Sequence, residues 1–138
     1  MSRLSRSTCP FAFALDYFGD KWSLLILRDL IFFGKKYNAD FAESDEKIAT
    51  NILAERLARL KEDGFIKGSR DKENGRKIIY TPTPKALDLI PMMLEMTLWS
   101  AKHDPNTRVQ KKNEDSIKRD KAAAAKRIRS EFENQMPT

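Results

Sequence analysis

The segment formed by residues 48–64 constrains the fold more than any other part of this chain. Its apolar residues recur at helical spacing and form one stripe, which predicts an amphipathic helix with one face toward a core. The residues of this stripe are Ala49, Leu53, Leu57 and Leu60. Gly64 follows directly and is a good helix stop, because glycine readily adopts the left-handed conformation that ends many helices.

The opposite face of the same segment is short-chained and polar. Small side chains let a helix approach a partner closely, and asparagine and arginine carry forked groups that can read base edges or grip phosphates. This face is therefore a candidate nucleic-acid surface. Its polar and charged residues are Thr50, Asn51, Glu55, Arg56 and Arg59, and Ala54 and Ala58 lie among them.

Two strand-like runs, residues 65–70 and 77–81, follow the helix. Asn74-Gly75 between them indicates a β-hairpin, since both residues tolerate positive φ. A helix that turns through glycine into a basic hairpin predicts a winged helix-turn-helix, mainly α with a small hairpin, whose helix enters a major groove while the hairpin touches the backbone. The basic hairpin residues are Arg70, Lys72, Arg76 and Lys77.

The charge distribution leaves a plainer interpretation open. The net charge is +6, but residues 10–104 contain fifteen basic and fifteen acidic residues, so a DNA-binding face there requires segregation of charge. Asp71 and Glu73 also lie among the hairpin cations. One alternative function is therefore a winged-helix module whose same face binds an acidic protein. A separate alternative for the hairpin cations is that they serve only solubility.

The remaining elements follow from caps, prolines and periodicity. We predict a dimerising winged helix-turn-helix domain over residues 1–104 and a basic linker and helix-prone tail over residues 105–138. Within them, the predicted segments are a helix from Cys9-Pro10 to Gly19, a helix over 21–33 capped by Asp20, a short helix over 39–43 capped by Asn38, a turn over 44–47, a helix over 84–102 kinked at Pro91, a linker over 103–113 and a helical tail over 114–134.

The last long helix has more apolar surface than one core contact requires. Met92, Met96 and Trp99 lie on a flank beside its core-facing residues, and this surplus predicts a subunit interface with the first helix of a second copy. The tail has two alternatives: it packs weakly on the partner subunit, or it stays mobile and attracts phosphates through its cations.

Several motifs, taken in order, carry a family resemblance. They are Cys9-Pro10, Gly19-Asp20-Lys21-Trp22, Leu25 to Leu30, Phe41, Leu53, Glu55-Arg56-Leu57, Leu60, Asp63-Gly64, Tyr80, Thr83, Lys85 and Trp99. In these residues the chain resembles the HxlR-type transcriptional regulators, a bacterial winged helix-turn-helix group related to the MarR type, over about residues 9–103. The resemblance implies a homodimer joined through the N-terminal and last helices that binds double-stranded operator DNA, with Thr50, Asn51 and Arg56 as the leading base contacts.

Cys9 is the one cysteine and His103 the one histidine. A disulfide framework, a metal site, a cofactor and an enzymatic constellation are therefore not expected. The resemblance allows Cys9 to be a sensor of oxidants or electrophiles, with Arg3 and Arg6 near it in sequence, and the alternative is a small structural residue. It also leaves room for a small-molecule effector of unidentified chemistry. With no apolar run of roughly 20 residues, we expect a cytoplasmic protein without a membrane partner.

Overall fold

The computed structural model describes residues 7–107, 109 and 111–133, and it is mainly α-helical with one two-stranded hairpin. Two compact units are present, one ending at Ala86 and the other beginning at Leu87. The elements are α1 (Pro10–Phe18), α2 (Ser23–Ile31), α3 (Asn38–Ala42), α4 (Thr50–Glu62), β1 (Ile66–Arg70), β2 (Ile78–Pro82), α5 (Pro84–Leu87), α6 (Ile90–His103), α7 (Lys111–Arg119) and α8 (Lys121–Glu133).

The core of the first unit is built around α2 and α4. The predicted stripe of α4 is confirmed at its three leucines, which are buried, while Ala49 precedes the helix and is exposed. Each fully buried side chain of this size contributes about 1.5–3 kcal/mol of transfer free energy. The buried apolar residues of this core are Ile26, Leu27, Leu30, Ile31, Phe41, Ile48, Leu53, Leu57, Leu60, Phe65 and Ile66.

Asp20 determines where α2 begins. Its carboxylate accepts hydrogen bonds from the backbone N–H groups of Trp22 (2.9 Å) and Ser23 (3.0 Å) and from the Ser23 hydroxyl (2.7 Å). These bonds satisfy donors that a helix start leaves without intrahelical partners. The capping role predicted for Asp20 is therefore confirmed, although regular helix starts at Ser23 and not at Lys21.

The helix-turn-helix is formed by α3, a turn and α4. The predicted cap of α3 was wrong: Asn38 is its first residue, and the Asp40 carboxylate accepts instead from the backbone N–H of Tyr37 at 3.1 Å. In the turn, Lys47 adopts a φ of 55°, a conformation uncommon for residues other than glycine. This left-handed residue reverses the chain just before the buried Ile48 and the start of α4.

The wing is formed by β1 and β2, which pair antiparallel from Ile66 opposite Pro82 to Arg70 opposite Ile78. The hairpin predicted between the two strand-like runs is confirmed, but its loop does not use positive φ at Asn74-Gly75. In the described part of the chain, positive φ occurs at Gly34, Lys47 and Gly64, and so not at Asn74-Gly75. Backbone bonds from Asp71 N to Lys77 O and from Lys77 N to Asn74 O, both 2.9 Å, close a longer loop.

The predicted long helix over residues 84–102 is divided in two. Asp88 and Leu89 separate α5 from α6, and Pro91 lies in the first turn of α6. The predicted kink was therefore wrong, because proline at a helix start replaces an N–H that has no intrahelical partner there.

The second unit contains α6, α7 and α8. Both tail helices pack on α6 of their own chain and bury Ile117 and Ala124. Arg129 Nη1 donates to Asp88 Oδ1 at 2.6 Å, and Lys121 forms an ion pair with Glu95. The tail thus has an attachment that neither predicted alternative included, and α7 begins at Lys111, within the predicted linker. The assignment of DNA binding and dimerisation to residues 1–104 stays a prediction.

Candidate DNA-binding surface

The amino-terminal end of α4 presents exposed polar groups. Thr50 and Asn51 are exposed, and within the described residues neither side chain makes a hydrogen bond. Ala54 and Ala58 continue the exposed face along the helix. The Asn51 amide therefore keeps both its donor and its acceptor available on a narrow surface, as a bidentate contact with a base edge requires.

Arg56 has a different environment from Asn51. Its Nε donates to Asp20 Oδ2 at 2.9 Å, and its Nη1 forms an ion pair with Glu55. The hydrogen bond to Asp20 raises the pKa of Arg56. Arg56 thereby joins α4 to the segment that starts α2. A contact between Arg56 and a base stays a prediction, and it would require the guanidinium to leave Asp20.

The Asp20 carboxylate is stabilised in its charged form. Partial burial raises its pKa, but hydrogen bonds from the Ser23 hydroxyl, from Arg56 and from the two backbone amides outweigh that effect. The pKa of Asp20 falls from 3.8 to about 2. At neutral pH the link between Arg56 and Asp20 is therefore a fully charged pair.

Glu55 and Arg59 form a second link on α4. Arg59 Nη2 lies 2.5 Å from Glu55 Oε1, one helical turn away. An exposed pair of this kind contributes about 0.3–0.5 kcal/mol. Arg59 remains partly exposed, so it can exchange this carboxylate for a phosphate at little cost.

The wing exposes the four basic residues predicted for it. Arg70, Lys72, Arg76 and Lys77 are all exposed. Arg70 Nη1 donates weakly to the Gly75 carbonyl at 3.5 Å, and the Lys77 ammonium lies 5.1 Å from the centre of the Tyr37 ring. Lys72 and Arg76 are without side-chain partners in the described chain, which makes them the most available cations of the wing.

Tyr37 joins the wing to the helix-turn-helix, and sequence reasoning missed it. Its hydroxyl donates to Asp71 Oδ2 at 2.8 Å, and this bond raises the pKa of Tyr37. Beside it, the backbone N–H of Tyr80 donates to the Lys36 carbonyl at 2.9 Å. These two bonds fix the base of the wing to the start of α3. Tyr37 and Asp71 are 34 positions apart in sequence, which explains why no local pattern indicated the pair.

A buried ion network, also missed, joins α2 to the turn before α4. Asp29 is only 2% exposed and accepts from Arg28 Nε at 2.9 Å and from the Ser44 hydroxyl, with Lys35 Nζ at 3.5 Å. Arg28 also donates to both carboxylate oxygens of Glu46 at 2.8 Å. These bonds from Arg28 lower the pKa of Glu46 to about 2. One buried carboxylate and one bidentate arginine therefore hold the turn.

Cys9 is exposed immediately before α1, and its backbone N–H donates to Ser7 Oγ at 3.2 Å. Arg3 and Arg6, the cations expected near it, lie outside the described residues. The described chain contains no group of three or more His, Cys, Asp or Glu residues able to hold a metal ion. Among its helices, none is long and apolar enough to cross a membrane.

Exposed apolar residues are concentrated on α1 and α6. Tyr17 and Phe18 of α1 pack edge-on against Phe65, with ring centres 5.6 and 5.1 Å apart. Other apolar side chains of α1, and one stripe of α6, face outward. These outward residues are Phe11 (78% exposed), Phe13 and Leu15 on α1, and Met92, Met96 and Trp99 (67% exposed) on α6.

The chain is similar in sequence to proteins described as HTH-type transcriptional regulators. The HTH-type transcriptional regulator YodB of Bacillus subtilis is 29% identical over 98 residues, which cover 70% of this chain and 87% of YodB. A regulator of Halalkalibacterium halodurans, BH0655, is 29% identical over 100 residues, with 70% and 86% covered.

Solved structures agree with the sequence comparisons. The crystal structure of PA1607 superimposes with a TM-score of 0.68 at 32% identity, covering 77% of this chain and 74% of PA1607. Reduced YodB of B. subtilis gives 0.58 at 27%, covering 73% of this chain and all of YodB. The redox regulator HypR in its oxidised form gives 0.61 at 27%, again covering 73% of this chain and all of HypR.

A family match covers two thirds of the chain, from the end of α1 to the segment just after α6. Residues 17–108 match the HxlR-like helix-turn-helix family, and this range contains every element of the candidate surface from α2 to the wing. The chain therefore belongs to the HxlR-like helix-turn-helix family.

Proposed function

We propose that this protein is a homodimeric transcriptional regulator that binds a pseudo-palindromic operator. Each subunit places α4 in a major groove and its wing on the adjacent backbone. The observation that carries the proposal is the exposed, unpaired Thr50 and Asn51 at the start of α4, beside a wing with available cations. Membership of a helix-turn-helix regulator family supports it.

The two parts of this surface have different tasks. Asn51 can make a bidentate contact with adenine, and such a contact specifies sequence. Lys72 and Arg76 lie on the wing, which reaches the phosphates or the minor groove beside the major-groove contact. Arg56 keeps α4 in place through Asp20, and Arg59 can reach the backbone. Sequence reading is therefore assigned to the amino-terminal turn of α4.

The test uses a duplex selected for binding from a random pool, with a scrambled duplex beside it. Asn51→Ala should weaken binding to the selected duplex by about 1–3 kcal/mol and leave the scrambled duplex unaffected. Lys72→Ala should weaken binding to both and lower the salt slope by about 1. Fluorescence anisotropy at several salt concentrations measures both effects. Equal losses on the two duplexes from Asn51→Ala would refute sequence reading by α4.

The competing function is a protein-interaction module whose winged face binds an acidic protein. The Glu55 and Asp71 carboxylates among the cations favour it. Wild-type protein that fails to bind any duplex at low salt would establish this alternative over DNA binding.

The dimer is part of the proposal because a two-fold operator requires two copies of α4. Successive major grooves lie about 34 Å apart, so the spacing of the two helices decides affinity. A small-molecule effector, where one acts, would change that spacing. The exposed apolar residues of α1 and α6 supply the surface for the second copy.

A sensing role for Cys9 is a separable part of the proposal. The thiol is exposed at the start of α1, a helix assigned to the dimer, and YodB, a relative of this chain, has been solved bound to quinone and after diamide treatment. Diamide or a quinone should therefore lower operator affinity in the wild type and not in Cys9→Ser. Unchanged wild-type affinity would exclude Cys9 and leave DNA binding intact.

A further inference from the structure

The tail helices lie beyond the family match. The matched range ends at residue 108, and α7 begins at Lys111. The features that define the family therefore do not explain α7 and α8. A folded segment outside the shared domain calls for a role of its own.

The cations of this tail fall into two sets. Three of them form ion pairs: Lys118 with Glu114 at 3.0 Å, Arg129 with Asp88 and Glu133, and Lys121 with Glu95. Five are exposed and form no ion pair within the described residues. We call these the unpaired tail cations: Lys111, Lys112, Arg119, Lys126 and Arg127.

The paired cations help to attach the tail to α6, whereas the unpaired tail cations have no such role. Ile117 and Ala124 are buried, and the ion pairs of Lys121 and Arg129 join α8 to Glu95 of α6 and to Asp88 in the turn before α6. Attachment to α6 therefore uses none of the unpaired tail cations. They are available to a partner outside the subunit.

The outer face of α8 is narrow as well as basic. Ala122 and Ala123 are exposed one turn before Lys126 and Arg127, so methyl groups and two cations share this face. Asp120 and Glu131, the acidic residues on either side in sequence, form no ion pair with Lys126 or Arg127 in the described chain, and the Asp120 carboxylate accepts from the Ala123 backbone N–H at 3.0 Å. A narrow basic helix face can approach a chain of phosphates closely.

We propose that the outer face of α7 and α8 is a second DNA-binding surface, which contacts the sugar–phosphate backbone and reads no sequence. The choice of duplex DNA as the polyanion rests on the proposed function of α4 and the wing. Lysine and arginine contacts to phosphate release condensed counterions, so this surface adds affinity that falls steeply with salt. It extends the bound length of duplex and has no effect on base preference.

The experiment compares two double variants of the full chain that remove the same charge. Lys126→Gln with Arg127→Gln removes two unpaired cations, and Lys118→Gln with Lys121→Gln removes two paired ones as the matched control. Binding is measured by anisotropy on selected and scrambled duplexes of about 40 base pairs, from low to physiological salt. Circular dichroism and thermal unfolding check that both variants fold as the wild type does.

The unpaired variant should lose affinity roughly tenfold at low salt, equally on both duplexes. Its plot of log affinity against log salt should flatten by nearly 2, since each lost phosphate contact removes about 0.9 from the slope. The control should change the slope by much less, because its cations are already neutralised within the protein.

The proposal would be overturned if both double variants lost affinity and salt slope equally, because that would show only a long-range effect of net charge. It would also be overturned if the Lys126→Gln, Arg127→Gln variant bound DNA like the wild type. A third contradicting result would be a Lys126→Gln, Arg127→Gln variant that loses binding to phosphatidylglycerol vesicles but keeps wild-type DNA binding, since this would indicate a membrane-binding surface. These results leave the proposed function standing, whereas wild-type protein that binds no duplex would refute both.

Discussion

A single carboxylate, Asp20, serves two elements at once. It caps the start of α2 through the backbone N–H groups of Trp22 and Ser23, and it holds the Arg56 guanidinium of α4. Because the folded state lowers its pKa to about 2, folding is favoured by the charged form. The stabilisation is fully present above the unfolded pKa near 4, and it is lost as the pH falls toward 2.

Replacement of Asp20 by asparagine tests this double role. Asp20→Asn should lower the free energy of unfolding at pH 7 by about 1–2 kcal/mol, after allowance for solvent screening of a partly exposed pair. The difference from wild type should shrink between pH 4 and pH 2, as the wild-type carboxyl takes up its proton. Urea unfolding across this pH range measures both.

The matched control for that measurement is Asp16→Asn on α1, a partly exposed position that makes no ion pair in the described chain. It should change the free energy of unfolding by no more than about 0.5 kcal/mol. A pH-independent gap between wild type and Asp20→Asn would contradict the assigned charge.

Local signals at the residue scale were readable from the sequence, and distant partners were not. Asp20 was identified as a cap because the donors it satisfies follow within three residues. Arg56 was assigned to bases because nothing in the pattern shows a carboxylate 36 residues earlier in the chain. Ion pairs between elements depend on how those elements pack, which periodicity does not specify.

The orientation of the wing depends on contacts with the start of α3. The Tyr37 hydroxyl donates to Asp71, and Asp71 in turn accepts from the Glu73 backbone N–H at 3.0 Å within the wing loop. One carboxylate therefore shapes the loop and ties it to the helix-turn-helix. The cations at the wing tip depend on this bond for their position relative to α4.

Loss of the Tyr37 hydroxyl should loosen the wing without unfolding the domain. Tyr37→Phe should lower affinity several-fold for selected and scrambled duplexes alike, because the wing contacts phosphates. Its thermal midpoint should fall by less than about 4 °C. Hydroxyl-radical footprinting should show weaker protection beside the major-groove contacts, with the protection from α4 retained.

Tyr80→Phe is the control for the wing measurement. Its ring packs against Phe41 with centres 6.1 Å apart, but its hydroxyl has no hydrogen-bond partner among the described residues. Removal of that hydroxyl should leave both affinity and footprint as in the wild type. A Tyr37→Phe footprint identical to the wild type would show that the bond does not position the wing.

The helices and strands were predicted better than the loops and breaks between them. The hairpin and the position of its loop were predicted, but Asn74-Gly75 does not adopt positive φ. The Asp71 and Asn74 side chains organise the loop instead, by accepting from the Glu73 and Arg76 N–H groups. The helix around Pro91 was found, yet it is broken before the proline and not bent at it. Turn residues allow several geometries, and side-chain bonds choose among them.

Quaternary structure is the prediction at the scale of the whole molecule. Phe11→Asp places a charge on the most exposed apolar side chain of α1 and should convert a dimer to a monomer, with loss of operator binding. Sedimentation velocity at about ten micromolar measures the mass. Phe33→Asp, another exposed phenylalanine, contacts Arg28 and lies outside α1 and α6, so it should remain dimeric. A wild-type monomer at this concentration would contradict the interface.

The sequence predicted the winged helix-turn-helix as a whole and misjudged the tail. Its helices carry few large apolar residues, which indicated marginal stability, but Ile117 and Ala124 gain burial by packing on α6. Contacts of this kind depend on a surface formed only after folding. The packing of the tail therefore could not be derived from its own composition.

The network around Asp29 limits how a signal can travel through the subunit. The network joins the carboxy-terminal end of α2 to the turn before α4 through Arg28, Lys35, Ser44 and Glu46. We therefore expect α2 and α4 to move together. In the proposed dimer, an inducer that lowers operator affinity would then move α2 and α4 of one subunit together and leave their separation unchanged. Spectroscopic labels placed on α2 and α4 of the same chain would report no change in their separation during induction.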